Sequence, residues 1–281
     1  MIQIITDSMS DIKQEEARLY AIEVLPLHVL FGDESFLDGV DLNAAQFYKK
    51  MASTKDFPKT SQIPPEVFSS AFAAALEKGN EIVCILGSSK LSGTYQSAVL
   101  ARDMQESGAP IFLVDSLTAS LGEQLLVREA IRLRDEGETA AGIAETISEL
   151  VRRSSMFGYV DDVKHLVRGG RLPAAAGHIS STLNLKPLLA VSDGSINRAG
   201  VSRGKKHCFA WLKKQLDEHP RDKQHPICLA SANNPSDLEE LRQYLEGAGV
   251  DLGTVYLVEI GAVIGTHTGE GILALSWIHE A

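Results

Sequence analysis

Residues 81–108, EIVCILGSSKLSGTYQSAVLARDMQESG, decide how the chain is read. After Glu81 the run is apolar and rich in branched side chains, which fits a strand buried on both faces. A polar stretch follows, Ser88 to Gly93, and then helical spacing carries on until Gly108 closes the segment. Strand, polar exit and helix in that order make the β-α unit of a parallel sheet.

Similar units lie on either side. IQIITDS (2–8) is a short β-rich run, and Asp11 with Gln14 gives a capping-box-like start to a helix through about Leu19. IEVLPLHVLF (22–31) reads as a strand, placed near a sheet edge by Pro26. PPEVFSSAFAAALEKG (64–79) is a helix with prolines at its start, while IFLVDS (111–116) and GEQLLVREAIRLRDEG (122–137) add another strand and helix. Residues 1–155 are expected to form an N-terminal three-layer α/β/α domain around a parallel sheet.

The texture changes near residue 155, where glycines, a proline and basic residues enter. NLKPLLAVSDGSINRAG (184–200) reads as a hairpin, and RGKKHCFAWLKKQLDEHP (203–220) as an amphipathic helix. PICLASA (226–232) is a strand and PSDLEELRQYLEGAG (235–249) a helix. In TVYLVEIGAVIGTHTGEGILALSWI (254–278) two strands flank a glycine-fenced loop that carries His267. Residues 156–281 are therefore expected to form a second α/β domain with a mixed sheet.

The formal charge of -10 argues against general affinity for nucleic acid, although VSRGKKH (201–207) and LVRGGR (166–171) are locally basic. No run reaches the length of a membrane span, and the N-terminus enters a strand pattern without a signal-like segment. Cys84, Cys208 and Cys228 are odd in number and widely spaced, which suggests buried small hydrophobes in a reducing, cytoplasmic compartment. The chain lacks HExxH and CxxC, no GxGxxG follows the first strand, and GVSRGKK falls one residue short of a phosphate-binding loop.

Ligands of open α/β sheets bind at strand carboxyl ends, so four polar exits stand out: Thr6 to Asp11, Thr60 to Gln62, Ser88 to Thr94, and Thr266 to Gly269. Ser92 reads either as a helix cap or, with the backbone N–H groups of Gly93 and Thr94, as an anion site. Thr60 and Ser61 are equally ambiguous before their proline-led helix. Asp7 and Asp11 would repel an anion, so capping and loop-fixing suit them better. His267, between Thr266 and Thr268, suits one carboxylate better than a metal, since no second ligand lies at metal spacing nearby.

TDSMSD, TSQ, SSKLSGTYQSA, VDS, LVRGGRL, KPLL and IGTHTGEG, in this order across nearly the whole chain, resemble the DegV family of bacterial fatty-acid-binding proteins. The resemblance implies two α/β domains with a long-chain fatty acid, such as palmitate, stearate or oleate, buried between them. Similar proteins are carrier subunits, without catalysis of their own, that present the acid to the catalytic subunit of fatty acid kinase for ATP-dependent acyl phosphate formation. No cofactor or metal is implied, and membrane contact would be at most transient. By motif, the carboxylate contacts fall on Thr60, Ser92 and His267, with Ser61, Gly93, Thr94, Thr266 and Thr268 alongside. Arg171 and Arg203 match basic positions assigned to partner docking or to the phosphate. TSQIPP departs from the pattern, since many relatives have a serine after the first proline.

The physics of such a carrier is consistent. Burying about fifteen methylenes at about 0.8 kcal/mol each yields at most roughly 12 kcal/mol before ordering costs. A desolvated carboxylate in turn needs several donors or a positive partner. Two other functions remain open on the sequence: a stand-alone enzyme on a small carbonyl compound, related to dihydroxyacetone kinase and using His267, and a sensor of lipid occupancy. An apolar tunnel rather than a small polar pocket would count against the enzyme.

Overall fold

The structure is a computed structural model and describes residues 1–173 and 184–281; the end of the glycine-rich stretch, 174–177, lies outside the described residues. In chain order the strands are β1 (Ile2–Asp7), β2 (Glu23–Leu25), β3 (His28–Phe31), β4 (Glu34–Leu37), β5 (Lys59–Ser61), β6 (Glu81–Leu86) and β7 (Ile111–Asp115), followed by β8 (Ser154–Tyr159), β9 (Leu185–Ser192), β10 (Ser195–Arg203), β11 (Ile227–Ser231), β12 (Val255–Glu259) and β13 (Leu273–Ile278). The helices are α1 (Gln14–Leu19), α2 (Ala44–Ser53), α3 (Pro65–Glu77), α4 (Thr94–Asp103), α5 (Leu121–Asp135), α6 (Ala140–Arg152), α7 (Lys164–Arg168), α8 (Lys205–Glu218), α9 (Pro235–Gly247) and α10 (Ala262–Thr268).

The α/β expectation holds. A four-stranded parallel sheet, ordered β2-β1-β6-β7, forms one centre, and a separate six-stranded mixed sheet, β10-β9-β8-β13-β11-β12, forms the other. β11 and β12 pair in parallel, and the remaining neighbours of that sheet are antiparallel. The β9–β10 hairpin turns at Asp193 and Gly194, both with positive φ, as an Asp-Gly turn requires.

Three local expectations are corrected. Pro26 divides the predicted strand 22–31: β2 stays at the edge of the parallel sheet, and β3 leaves it for a small antiparallel sheet, β4-β3-β5. Asp11 starts no capping box; it takes a left-handed conformation after a short 3-10 turn at Ser8–Ser10, and α1 begins at Gln14 without a side-chain cap. The segment carrying His267 is a helix, α10, rather than a loop.

Strand alternation explains where the core goes. Met156, Gly158, Leu189 and Ala274 share one face of the mixed sheet, while Phe157, Tyr159, Leu273, Leu275 and Trp277 occupy the other and pack against α8 and α9. The first face meets α5, which also touches β1 and β6 of the parallel sheet. α5 is accordingly buried around much of its circumference, from Leu121 through Ile131, as a helix clasped between two sheets must be.

Candidate functional site

Between the two sheets runs an apolar cavity. Gly158, Leu189 and Ala274 floor it from the mixed sheet, Val263 and Ile264 of α10 form one wall, and Met9 and Ala119 close it from the N-terminal half. Met9 and Ala119 lie just beyond the carboxyl ends of β1 and β7, where chain leaving a parallel sheet faces a crevice.

Polar side chains gather where β5, the loop after β6, the segment after α7 and the end of α10 meet: Thr60, Ser92, Arg171 and His267 all line the cavity. Thr60 Oγ1 lies 2.9 Å from His267 Nε2. Ser92 Oγ accepts the Thr94 N–H (3.2 Å) and lies 2.9 Å from Thr94 Oγ1. When Thr94 donates in that pair, both lone pairs of Ser92 are used and its own proton is free for a ligand. Gly93 has a steric reason of its own: a Cβ there would come within 2.0 Å of the Gln62 side-chain oxygen. Gln62 itself donates to Ser97 Oγ at 3.0 Å.

Arg171 is the electrostatic centre of this end. It is half-buried, and burial holds its guanidinium below the ordinary arginine range. Nε donates to the Leu91 carbonyl (3.0 Å) and Nη1 to the Gly169 carbonyl (2.5 Å). Among the described residues no carboxylate pairs with it. Burial, with Arg171 and His165 nearby, pushes the His267 imidazole down to about 4, so it is neutral at physiological pH. His267 Nδ1 has no partner among the described residues and lies against Gly169, where a Cβ would come within 2.2 Å of it.

The remaining sequence-predicted positions are arranged differently. Thr266 Oγ1 donates to the Ala262 carbonyl (2.8 Å) and Thr268 Oγ1 to the Ile264 carbonyl (3.1 Å), so both hydroxyl protons are held inside α10. The Thr94 N–H is taken by Ser92, and Ser61 is exposed with its hydroxyl toward the Gln62 carbonyl (3.4 Å). Arg203 is exposed at the end of β10 and is not part of the cavity lining.

Sequence reasoning missed what seats α10. Asp38 accepts the N–H groups of Ala262 (3.2 Å) and Val263 (3.4 Å), and Asp11 accepts that of Gly261 (2.9 Å). Two carboxylates thus cap the positive end of the helix that carries His267. Tyr48 adds a hydrogen bond to the Ile260 carbonyl at 3.0 Å. Burial pushes Asp38 up to about 6 and Asp11 well above its ordinary value. The DSMSD motif marked Asp11 as loop-fixing, whereas nothing around Asp38 signals a partner more than two hundred residues away.

Fold and site together define an α/β protein with an apolar chamber between its two main sheets and a cationic, hydroxyl-bearing end. The chain belongs to the DegV family: the family model described as "Uncharacterised protein, DegV family" matches residues 1–280. A DegV domain-containing protein of Clostridium acetobutylicum is 36% identical over 280 residues, covering 99% of each chain. Among solved structures, a DegV family protein from Thermus thermophilus described for its fatty acid binding superposes with a TM-score of 0.90 at 30% identity, covering 99% of both chains. A stearic acid-binding protein from Eubacterium ventriosum gives a TM-score of 0.89 at 27% identity, covering 99% of this chain and 98% of the other. Among the described residues of this protein, no helix is long and apolar enough to cross a membrane.

Proposed function

We propose that this protein binds a long-chain fatty acid in the chamber between its sheets, with residues 1–155 and 156–281 acting as two domains that clasp it. The observation that carries the reading is Arg171, with which no carboxylate among the described residues pairs, beside Thr60, Ser92 and His267 at the polar end of an otherwise apolar cavity. A fatty acid complements both parts: its methylenes take the apolar walls, and its carboxylate supplies the counter-charge that Arg171 lacks. Arg171 therefore moves, in this reading, from partner docking to the head group itself. Neutral His267 orients through Thr60, and the hydroxyls of Thr60 and Ser92 donate. The solved DegV neighbours described as fatty-acid-binding support the ligand class.

The protein acts as a carrier without catalysis of its own. It presents the bound carboxylate to the catalytic subunit of a fatty acid kinase, which makes an acyl phosphate from ATP; the family resemblance supports this step, and exposed Arg203 is assigned to docking that partner. An apolar chamber disfavours a stand-alone enzyme acting on a small polar carbonyl compound. Native mass spectrometry of the purified protein, followed by denaturing lipid extraction, tests the binding. One fatty acid per chain is the expected result, and a protein that stays empty after incubation with palmitate or oleate overturns it. Adding ATP and the kinase subunit to the loaded protein should then yield acyl phosphate, with none formed in the absence of that subunit.

A further inference from the structure

Met156 stands between two cavities. Its side chain lines the apolar chamber on one side, and on the other it lines a cleft formed by Ser116, Thr118, Arg152, Ser154 and Asp193. Val191, directly opposite Met156 across the β8–β9 ladder, is the second residue shared by both. The two side chains are the partition between an apolar interior and a polar surface cleft.

Met156 also lies away from the polar end. β8 leads from its carboxyl end toward α7 and Arg171, and Met156 precedes Tyr159 by three residues, roughly 10 Å of extended chain. Its sulfur has a partner that fixes its position: Thr118 Oγ1 donates to Met156 Sδ at 3.4 Å. Thr118 is itself buried and held, with its carbonyl accepting from the Ser88 N–H at 2.8 Å. An unbranched thioether, adaptable in shape but anchored by one hydroxyl, suits a wall that must stop a methyl terminus without a rigid fit.

We propose that Met156, held by Thr118, is the plug that sets the longest acyl chain the chamber accepts. The inference rests on the fatty-acid reading above and deepens it by naming a residue that determines chain length. Truncating Met156 to alanine removes three heavy atoms, room for about two methylenes at the close packing of protein interiors. It also joins the chamber to the cleft, so that a longer chain can run on past the partition. Leucine keeps an apolar wall of similar bulk and should keep the limit.

The test loads lipid-stripped wild-type, M156A, M156L and T118V proteins with an equimolar mixture of saturated fatty acids of about twelve to twenty-two carbons and reads the bound masses by native mass spectrometry. M156A should shift the longest well-bound acid by about two carbons and raise its share over the wild-type preference on the order of ten-fold. M156L should leave the limit where it is, and T118V should blur it by freeing the sulfur. An unchanged length profile in M156A, with wild-type and variant both loaded, overturns the plug alone. Failure of the wild type to take any acid overturns the fatty-acid reading, and the plug with it. Thermal melts of each variant separate a moved limit from a damaged fold, and a length shift that M156L shares with M156A rejects the partition as its cause.

Discussion

Thr60 Oγ1 and His267 Nε2 lie 2.9 Å apart although 207 positions separate them in the chain. The first belongs to a three-residue strand of the small antiparallel sheet, the second to a seven-residue helix between two strands of the mixed sheet. Neither element could hold its side chain alone, since short helices and isolated short strands are marginal in water. The polar end of the chamber therefore exists only when both halves of the chain are docked.

Head-group variants should divide by where each proton is already spent. Thr60→Val and Ser92→Ala each remove one neutral donor, about 1 kcal/mol, and should weaken fatty acid binding about five-fold. Arg171→Met removes the sole cation that lines the chamber among the described residues and should cost about ten- to a hundred-fold. Thr266→Val and Thr268→Val should leave affinity within about two-fold, because those hydroxyls serve α10. Titration with a fluorescent fatty acid reads all five. Equal losses across the set would remove the distinction.

His267 makes the empty protein sensitive to mild acid. Its imidazole is held down to about 4, below its ordinary 6.5, chiefly by burial. As pH falls from 6.5 toward 4, the unfolded chain takes up a proton that the native state refuses, so stability declines across that window. Denaturant titrations of lipid-free protein should show this decline, and His267→Gln should lessen it. Bound fatty acid should lessen it too, because a carboxylate beside the ring favours its protonated form. A decline that is the same in His267→Gln would assign it to other groups.

The buried carboxyls act with the opposite sign over an overlapping range of pH. Burial pushes Asp7 up to about 7, with the N–H groups of Met9 and Gly87 pulling the other way, and Glu123 lies well above its ordinary value. A raised carboxyl contributes stability that is complete below its unfolded pKa and is lost as pH rises through the folded one. For Asp7 that loss runs from its ordinary 3.8 up to about 7. His267 opposes it below about 6.5, where its unfolded form is protonated, so in His267→Gln the melting temperature should fall between about pH 4 and pH 7. A melting temperature that rises over this interval would show that other titrations outweigh these acids.

The sequence showed the β-α units because a strand buried on both faces leaves an unbroken apolar run, as after Glu81 in Glu81–Leu86, and because Gly79, Gly108 and Gly137 follow α3, α4 and α5. It offered Thr60, Ser92 and His267 as candidates through the TSQ, SSKLSGTYQSA and IGTHTGEG motifs of the family resemblance, the residues alone leaving capping and binding open, and the fold brings the three to one end of the cavity. It did not show the small sheet β4-β3-β5, whose strands are three or four residues long, too short for a period to register. Nor did it show that α10 is a helix. Three of its seven residues are glycine or threonine, poor helix formers, and the helix stands because Asp11, Asp38 and Tyr48 hold its first turn from across the molecule. Long-range capping has no local signature, and only the fold brings Arg171 to the chamber lining.

Filling the chamber should separate binding from folding. Ala274 is buried, and Gly158, paired with it across the ladder, has no side chain, so the two leave a bare stretch of chamber floor. Ala274→Leu places three additional carbons into space the proposed acyl chain needs. Overpacking a filled core costs about 1–3 kcal/mol, whereas a side chain entering free volume contributes apolar contacts instead. The variant should therefore melt within a few degrees of wild type in the lipid-free state, bind palmitate at least about ten-fold more weakly, and still bind a short acid such as octanoate through Arg171. Thermal melts with and without each acid read these outcomes together. If palmitate stabilises the variant as strongly as the wild type, the acyl chain does not run over Ala274.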